Sequence, residues 1–184
     1  MGELYKLDLS DVLNHKIVYD ANVDSDEGLG LDGEFLDRNV FVQLWESSVK
    51  NMFGLFDRTY DNIECNGQSI EIGAMASKLH FLGFFYWGDS VEHVAVEFED
   101  GITEIVNVMF GDWTRVLNGE TNLLTEYSSE TSRTAFSLTS KGKAIHIVCL
   151  HHAECGLKHR GKRISRIILP ENMFMHIFAI TLEN

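Results

Sequence analysis

The chain is poor in proline, in cysteine and in positive charge. Among 184 residues there is one proline, Pro170, against fifteen glycines. That ratio excludes a proline-rich linker and points to tight turns between ordered elements. The three cysteines, Cys65, Cys149 and Cys155, are an odd number. They cannot all pair within the chain, which weakens a disulfide framework and fits a reducing compartment. Lys and Arg number 15 against 28 Asp and Glu, for a formal net charge of −13. Such a surface repels nucleic-acid phosphates and anionic membranes, so neither is expected as a partner. The one basic cluster, within residues 158–166, reads as a solvated loop leading into a strand. No apolar run reaches the length of a membrane span. The nearest, residues 79–87, contains His80 and Gly83. The opening residues, MGELYKLDLSDVL, show no basic start followed by an apolar core. A cytoplasmic location is therefore expected, unless the chain derives from a larger secreted protein.

What is present is alternation. The length and the 45% apolar content suit one domain, residues 1–184, with a sizeable core. Residues 91–100 (VEHVAVEFED) place Val94, Val96 and Phe98 on one side, and after Asp100-Gly101 residues 102–110 return. An Asp-Gly pair between apolar runs predicts a hairpin. Asn66-Gly67 predicts a second hairpin between residues 62–65 and 68–72, with Lys141-Gly142 and Glu171-Asn172 as further turns. Residues 79–87 predict a buried central strand, and 133–138, 143–152, 162–169 and 174–182 complete the set, with 53–57 a further candidate. The closing stretch after Pro170 is apolar on both parities, Phe174, His176, Phe178 and Ile180 against Met173, Met175, Ile177 and Ala179. A strand of that kind is buried on both faces, which implies a closed β structure. Residues 36–49 alone have a helical face, yet Val40, Phe41 and Val42 also favour a strand, and the choice stays open. Short strands separated by frequent turns predict an all-β, antiparallel sandwich or barrel.

A series of short motifs runs along the chain. It begins with Leu7-Asp8-Leu9-Ser10 and Asn14, followed by Leu31-Asp32-Gly33. Asp61-Asn62-Ile63 with Gly67-Gln68-Ser69-Ile70 and then Leu79 to Gly83 come next. Val96 to Gly101, Gly111-Asp112-Trp113, Ile167 to Pro170 and His176 to Thr181 complete the series. In this order they resemble the galactose-binding-like (jelly-roll) β-sandwich found as an accessory module in bacterial glycoside hydrolases. The resemblance covers nearly the whole chain and implies an antiparallel jelly roll. Glu34 to Arg38 departs from the family's apolar segment after Asp-Gly, and residues 151–163 are particular to this chain.

A sugar site needs a flat apolar face for the ring and side chains that pair with hydroxyls. Trp87 and Asp89 at the end of the buried strand, and Trp113 and Arg115 after the next hairpin, meet that need. So do His151 and His152 in the densest cluster of ligand-type residues. The bland reading of each is structural: tryptophans that plug the core and ordinary histidines. Cys149, His151, Cys155 and His159 could also offer zinc ligands, although their spacing matches no common zinc motif. The acidic loop with Asp20, Asn22, Asp24 and Asp32 is a weak candidate for calcium, and the resemblance implies that a structural Ca is an option. Neither a Gly-x-Ser-x-Gly elbow nor a His-Glu-x-x-His helix is present. The expectation is a non-catalytic module that binds a carbohydrate through loops at one end of the sandwich. The alternatives are a small sugar-active hydrolase or lyase using carboxylates, and an interaction module with no small ligand; a homodimer stays open.

Overall fold

The computed structural model describes residues 2–20, 31, 33–55, 59–114, 132–142 and 147–184. Twelve strands and one helix are found among them. In chain order they are β1 (Leu4–Lys6), β2 (Val18–Tyr19), β3 (Glu34–Asp37), α1 (Arg38–Ser48), β4 (Ile63–Glu64), β5 (Ser69–Met75) and β6 (Lys78–Phe85). There follow β7 (Ser90–Phe98), β8 (Thr103–Phe110), β9 (Ser132–Gly142), β10 (Ile147–Gly156), β11 (Arg163–Ile168) and β12 (Met175–Glu183). The protein is all-β and sandwich-like, with two sheets, the larger curled into a half-barrel. The larger sheet runs β1-β12-β6-β10-β9-β3-β2, with β4 also paired to β12; the smaller runs β5-β11-β7-β8. No described helix is long and apolar enough to cross a membrane.

The hairpin predicted from Asp100-Gly101 is β7 and β8, in register at Val94↔Val106. Gly101 takes φ 83°, the left-handed turn conformation that a Cβ disfavours. The second predicted hairpin is a correction. Residues on either side of Asn66-Gly67 belong to different sheets: Ile63 faces Ile177 of β12, whereas Ile70 faces Ile167 of β11. Ile63, Cys65 and Ile70 all enter the same core, so the turn carries the chain across that core rather than back along a partner. The Gln68 side chain fastens the crossing, accepting from the Asn66 N–H at 2.7 Å and donating to the Glu64 carbonyl at 2.8 Å. Two further expectations change. β2 and β3 pair in parallel, so the sheets are not wholly antiparallel. Among the described residues the larger sheet keeps edges at β1 and β2, so it is curled but not closed. Gly142 is the last residue of β9, which pairs antiparallel with β10, and residues 143–146 between them lie outside the described residues; residues 53–55 form no strand, and 56–57 lie outside the described residues.

The open choice at residues 36–49 resolves into strand and then helix. Asp37 ends β3 and caps α1, its Oδ1 accepting from the N–H groups of Asn39 and Val40 at 3.0 and 3.2 Å. Capping of this kind stabilises a helix by about 1 kcal/mol. Phe41 and Trp45, four residues apart, fall on one face and are buried.

Both faces of the larger sheet are covered, as the closing segment predicts. Towards the smaller sheet, β12 contributes Met175, Ile177, Ile180 and Leu182, which pack with Phe81, Phe85, Val96, Phe98 and Ile164. Away from it, Phe178 joins Phe41, Trp45, Phe84, Trp113 and Val148 under α1 and the 14–19 segment. Each large side chain removed from water contributes roughly 1.5–3 kcal/mol. Gly83 of β6 lies where the two layers meet. A Cβ there would stand 2.1 Å from the His176 carbonyl oxygen and 2.7 Å from the Phe110 ring.

Candidate functional site

Trp87 lies on the tight connection between β6 and β7. Its backbone φ is 78°, and it is the one non-glycine residue with positive φ among those described. The following Gly88 continues the turn at φ 113°. A bulky residue in the left-handed region costs of order 1–3 kcal/mol and persists only where its surroundings hold it. Here the effect is to turn the indole outwards: Trp87 is 75% exposed. Its ring lies 6.5 Å from that of Phe174 at an interplanar angle of 31°, and Met173 beside it is also exposed. Together they form an aromatic platform at one end of the molecule.

Three loops are tied together beneath this platform. The Tyr86 N–H donates to the Phe174 carbonyl at 2.8 Å. Asn172 accepts from the Phe174 N–H at 3.0 Å and donates to Glu92 Oε1 at 2.6 Å. Asp89 Oδ1 accepts from the Asp112 N–H at 2.8 Å, and Asp112 in turn accepts from the N–H and hydroxyl of Thr114. The polar rim of the platform is therefore acidic and amide-bearing. Such groups can accept or donate hydrogen bonds to hydroxyls at a surface where water competes.

The remaining predicted residues do not join the platform. Trp113 is 1% exposed, stacked on Phe84 at 5.2 Å and 22° and edge-on to Tyr86 at 5.7 Å. The reason is its backbone. Residues 111–113 bond to Phe85 on one side and to Cys149 on the other, so they fill the gap where β6 and β10 part. The ring has no face left for a ligand. Arg115 lies outside the described residues, as do Asn22, Asp24 and Asp32; Asp20, the fourth calcium candidate, is half-buried at the end of β2.

His151 and His152 are interior. β10 runs on to Gly156, so Glu154 and Cys155 are strand residues and not part of a loop, and the chain reaches His159 only after the strand ends. His151 lies opposite Gly83 and Thr134. His152 packs edge-on to Phe53, and its Nε2 is 3.1 Å from His80 Nδ1, while His80 Nε2 meets Glu183 at 2.9 Å. Burial, then the neighbouring His80 and Arg133, push His152 down to about 4. The cysteine thiols move the other way, Cys149 up to about 11 and Cys155 up to about 12, chiefly through burial. They are poor nucleophiles and poor metal ligands at neutral pH. Among the described residues no group of three or more His, Cys, Asp or Glu is placed to hold a metal ion.

A second concave feature lies under α1. Arg38, Phe41, Trp45, Leu55, Asp61 and Phe178 line a cleft of about 420 Å³, counting the part open to solvent. Asp61 accepts from the N–H groups of Ile17 and Val18 and from the Asn62 amide, and its carboxyl is pushed up to about 6 by burial. This is a structural clasp, since each of its oxygens is already engaged by the chain. Sequence reasoning missed Met173, Asn172 and Phe174 as companions of Trp87, because a separation of nearly ninety residues leaves no local pattern. The signal available was the exposure that comes with a turn: all three lie just before β12, at or directly after the Glu171-Asn172 turn. A scan against protein-family models finds none that matches this chain, and a search of curated proteins finds no match.

Proposed function

We propose that this chain is a non-catalytic carbohydrate-binding module of the galactose-binding-like, jelly-roll type, with the sugar ring seated on Trp87. The observation that carries the reading is Trp87 itself: a large aromatic side chain kept at φ 78° and 75% exposed, beside Phe174. A side chain that served only to fill the core would not need that backbone. The apolar C–H face of a pyranose suits the indole, and the half-buried Glu92 and Asn172, bonded to each other beside Phe174, are the flanking polar groups, with Asp89 fixing the loop beneath. The two-sheet architecture and the ordered motifs support the jelly-roll assignment. A shallow, solvated platform implies modest affinity, about millimolar to micromolar.

A panel of neutral mono- and oligosaccharides in a thermal-shift assay, followed by titration calorimetry, tests this. At least one sugar should stabilise the protein, and Trp87→Ala should abolish that response. Absence of any response, or equal binding by the variant, would refute the reading. The exposed Trp87, Met173 and Phe174 side chains favour one other reading, a module that docks an apolar protein surface. Concentration-dependent self-association lost in Trp87→Ala, with no sugar response, would support that instead.

A further inference from the structure

The outer face of the larger sheet carries four histidines in two facing pairs. His15 and His176 have ring centroids 4.9 Å apart, and His80 and His152 5.2 Å apart. The first pair spans two layers, because His15 belongs to the 14–19 segment and His176 to β12. A chain of hydrogen bonds fixes the proton on His176. The Asn62 amide nitrogen donates to Asp61 Oδ1 at 2.8 Å, which leaves Asn62 Oδ1 as the acceptor for His176 Nδ1 at 2.9 Å. His176 Nδ1 therefore carries the hydrogen, and Nε2 is bare. That nitrogen and His15 Nδ1 are buried without a hydrogen-bond partner among the described residues. A proton added at either nitrogen places a charge in a site closed to water, beside a second imidazole.

We propose that the His15–His176 pair is an acid-released latch: protonation frees the 14–19 segment from the outer face of β12 while the core between the two sheets stays folded. The charged and titratable groups around the pair are few. Asp61 and Glu64 come from the neighbouring stretch, Lys16 from the segment itself and Arg38 from α1; β6 offers only the Phe84 ring, stacked on His176 at 4.8 Å. Burial lowers His15 and outweighs both Glu64 and a hydrogen bond with Asn62, which favour its charged form; burial and then His15 bring His176 down to about 3. Asp61 opposes the effect: burial raises its carboxyl to about 6, so the closed segment binds that proton more readily than an opened one would. Release therefore requires the charging of the two histidines to outweigh the proton taken up by Asp61. The second pair lies within the sheet, between neighbouring strands β6 and β10, with Glu183 and Glu154 beside His80, and so does not tie the 14–19 segment down.

Hydrogen exchange of the full chain read by mass spectrometry, at about pH 7 and about pH 4.5 with intrinsic rates corrected, tests this. Peptides covering residues 14–19 should lose about tenfold or more in protection on acidification, while β7, β8 and β11 keep theirs. His15→Gln removes one of the two cations from a half-buried position and should move the release to more acid pH. Asp61→Asn should loosen residues 14–19 already at neutral pH. Equal loss of protection across both sheets, or an acid profile unchanged in His15→Gln, would overturn the proposal.

Discussion

Trp87 and Trp113 lie at the ends of successive strand pairs, each beside a glycine and an aspartate, and the molecule uses them in opposite ways. Trp113 is threaded between β6 and β10 by three backbone hydrogen bonds and stacks on Phe84 in the interior. Trp87 is turned out of the fold by its left-handed backbone and contributes little burial. Tyr86 touches both rings, at 5.7 Å and 5.9 Å, so one series of aromatic contacts runs from core to surface. The difference teaches that aromatic content does not mark a site. What separates a plug from a platform is where the backbone's hydrogen bonds go.

The contrast can be broken from either end. Trp113→Ala has the largest expected effect, a loss of about 3–5 kcal/mol in denaturant unfolding, because a buried ring leaves a cavity against Phe84. A loss under about 1 kcal/mol would place Trp113 with the surface residues. Gly83→Ala, at the junction of the two layers, should cost about 3 kcal/mol, since its Cβ would meet the His176 carbonyl and that backbone cannot swing away. A well-folded, equally stable Gly83→Ala protein would contradict the layer packing described for β6.

Acidification should act on the outer layer. His15, His152 and His176 stay neutral in the fold below the ordinary imidazole value. Below about pH 6.5 the unfolded chain takes up protons that the folded chain refuses, so stability falls with pH from there towards the lowered folded values. Asp61 opposes this. Its raised value means the folded state binds the extra proton between the ordinary carboxylate range and about pH 6, so its contribution rises as pH falls. Three histidines outweigh one carboxylate, and roughly 3 kcal/mol should be lost between about pH 6.5 and about pH 4.5. A flat unfolding free energy over that range would remove the histidines from the account.

The inter-sheet core was legible because alternation and an Asp-Gly turn are local signals. Val94, Val96 and Phe98 fall inward in β7, and the doubly apolar run after Pro170 is buried on both faces in β12. The Asn66-Gly67 crossing was not legible, since a turn between apolar runs looks the same whether the chain returns along its partner or crosses to another sheet. The helix was half legible. Asp37 is a capping residue in the right place, but the branched Val40 and Val42 pull towards strand. For the site, Trp87 and Asp89 were visible as residues at a strand end, whereas nothing in the sequence distinguishes Trp87 from Trp113. That distinction rests on one backbone dihedral and on which strands part around residues 111–113. The buried roles of His151 and His152 were hidden for a related reason: β10 extends further than its apolar pattern shows.

Trp87→Gly has the smallest expected effect on stability and tests the account most directly. Glycine accepts φ 78° without strain, so the variant should unfold at the same denaturant concentration or be more stable by about 0.5–1 kcal/mol. Calorimetric titration of the same protein with a sugar that binds the unmodified chain should show binding lost. Stability kept together with binding lost is the result predicted. A variant that binds the sugar as tightly as the original, or that unfolds, would contradict the claim that Trp87 is held out of the core to meet a ligand.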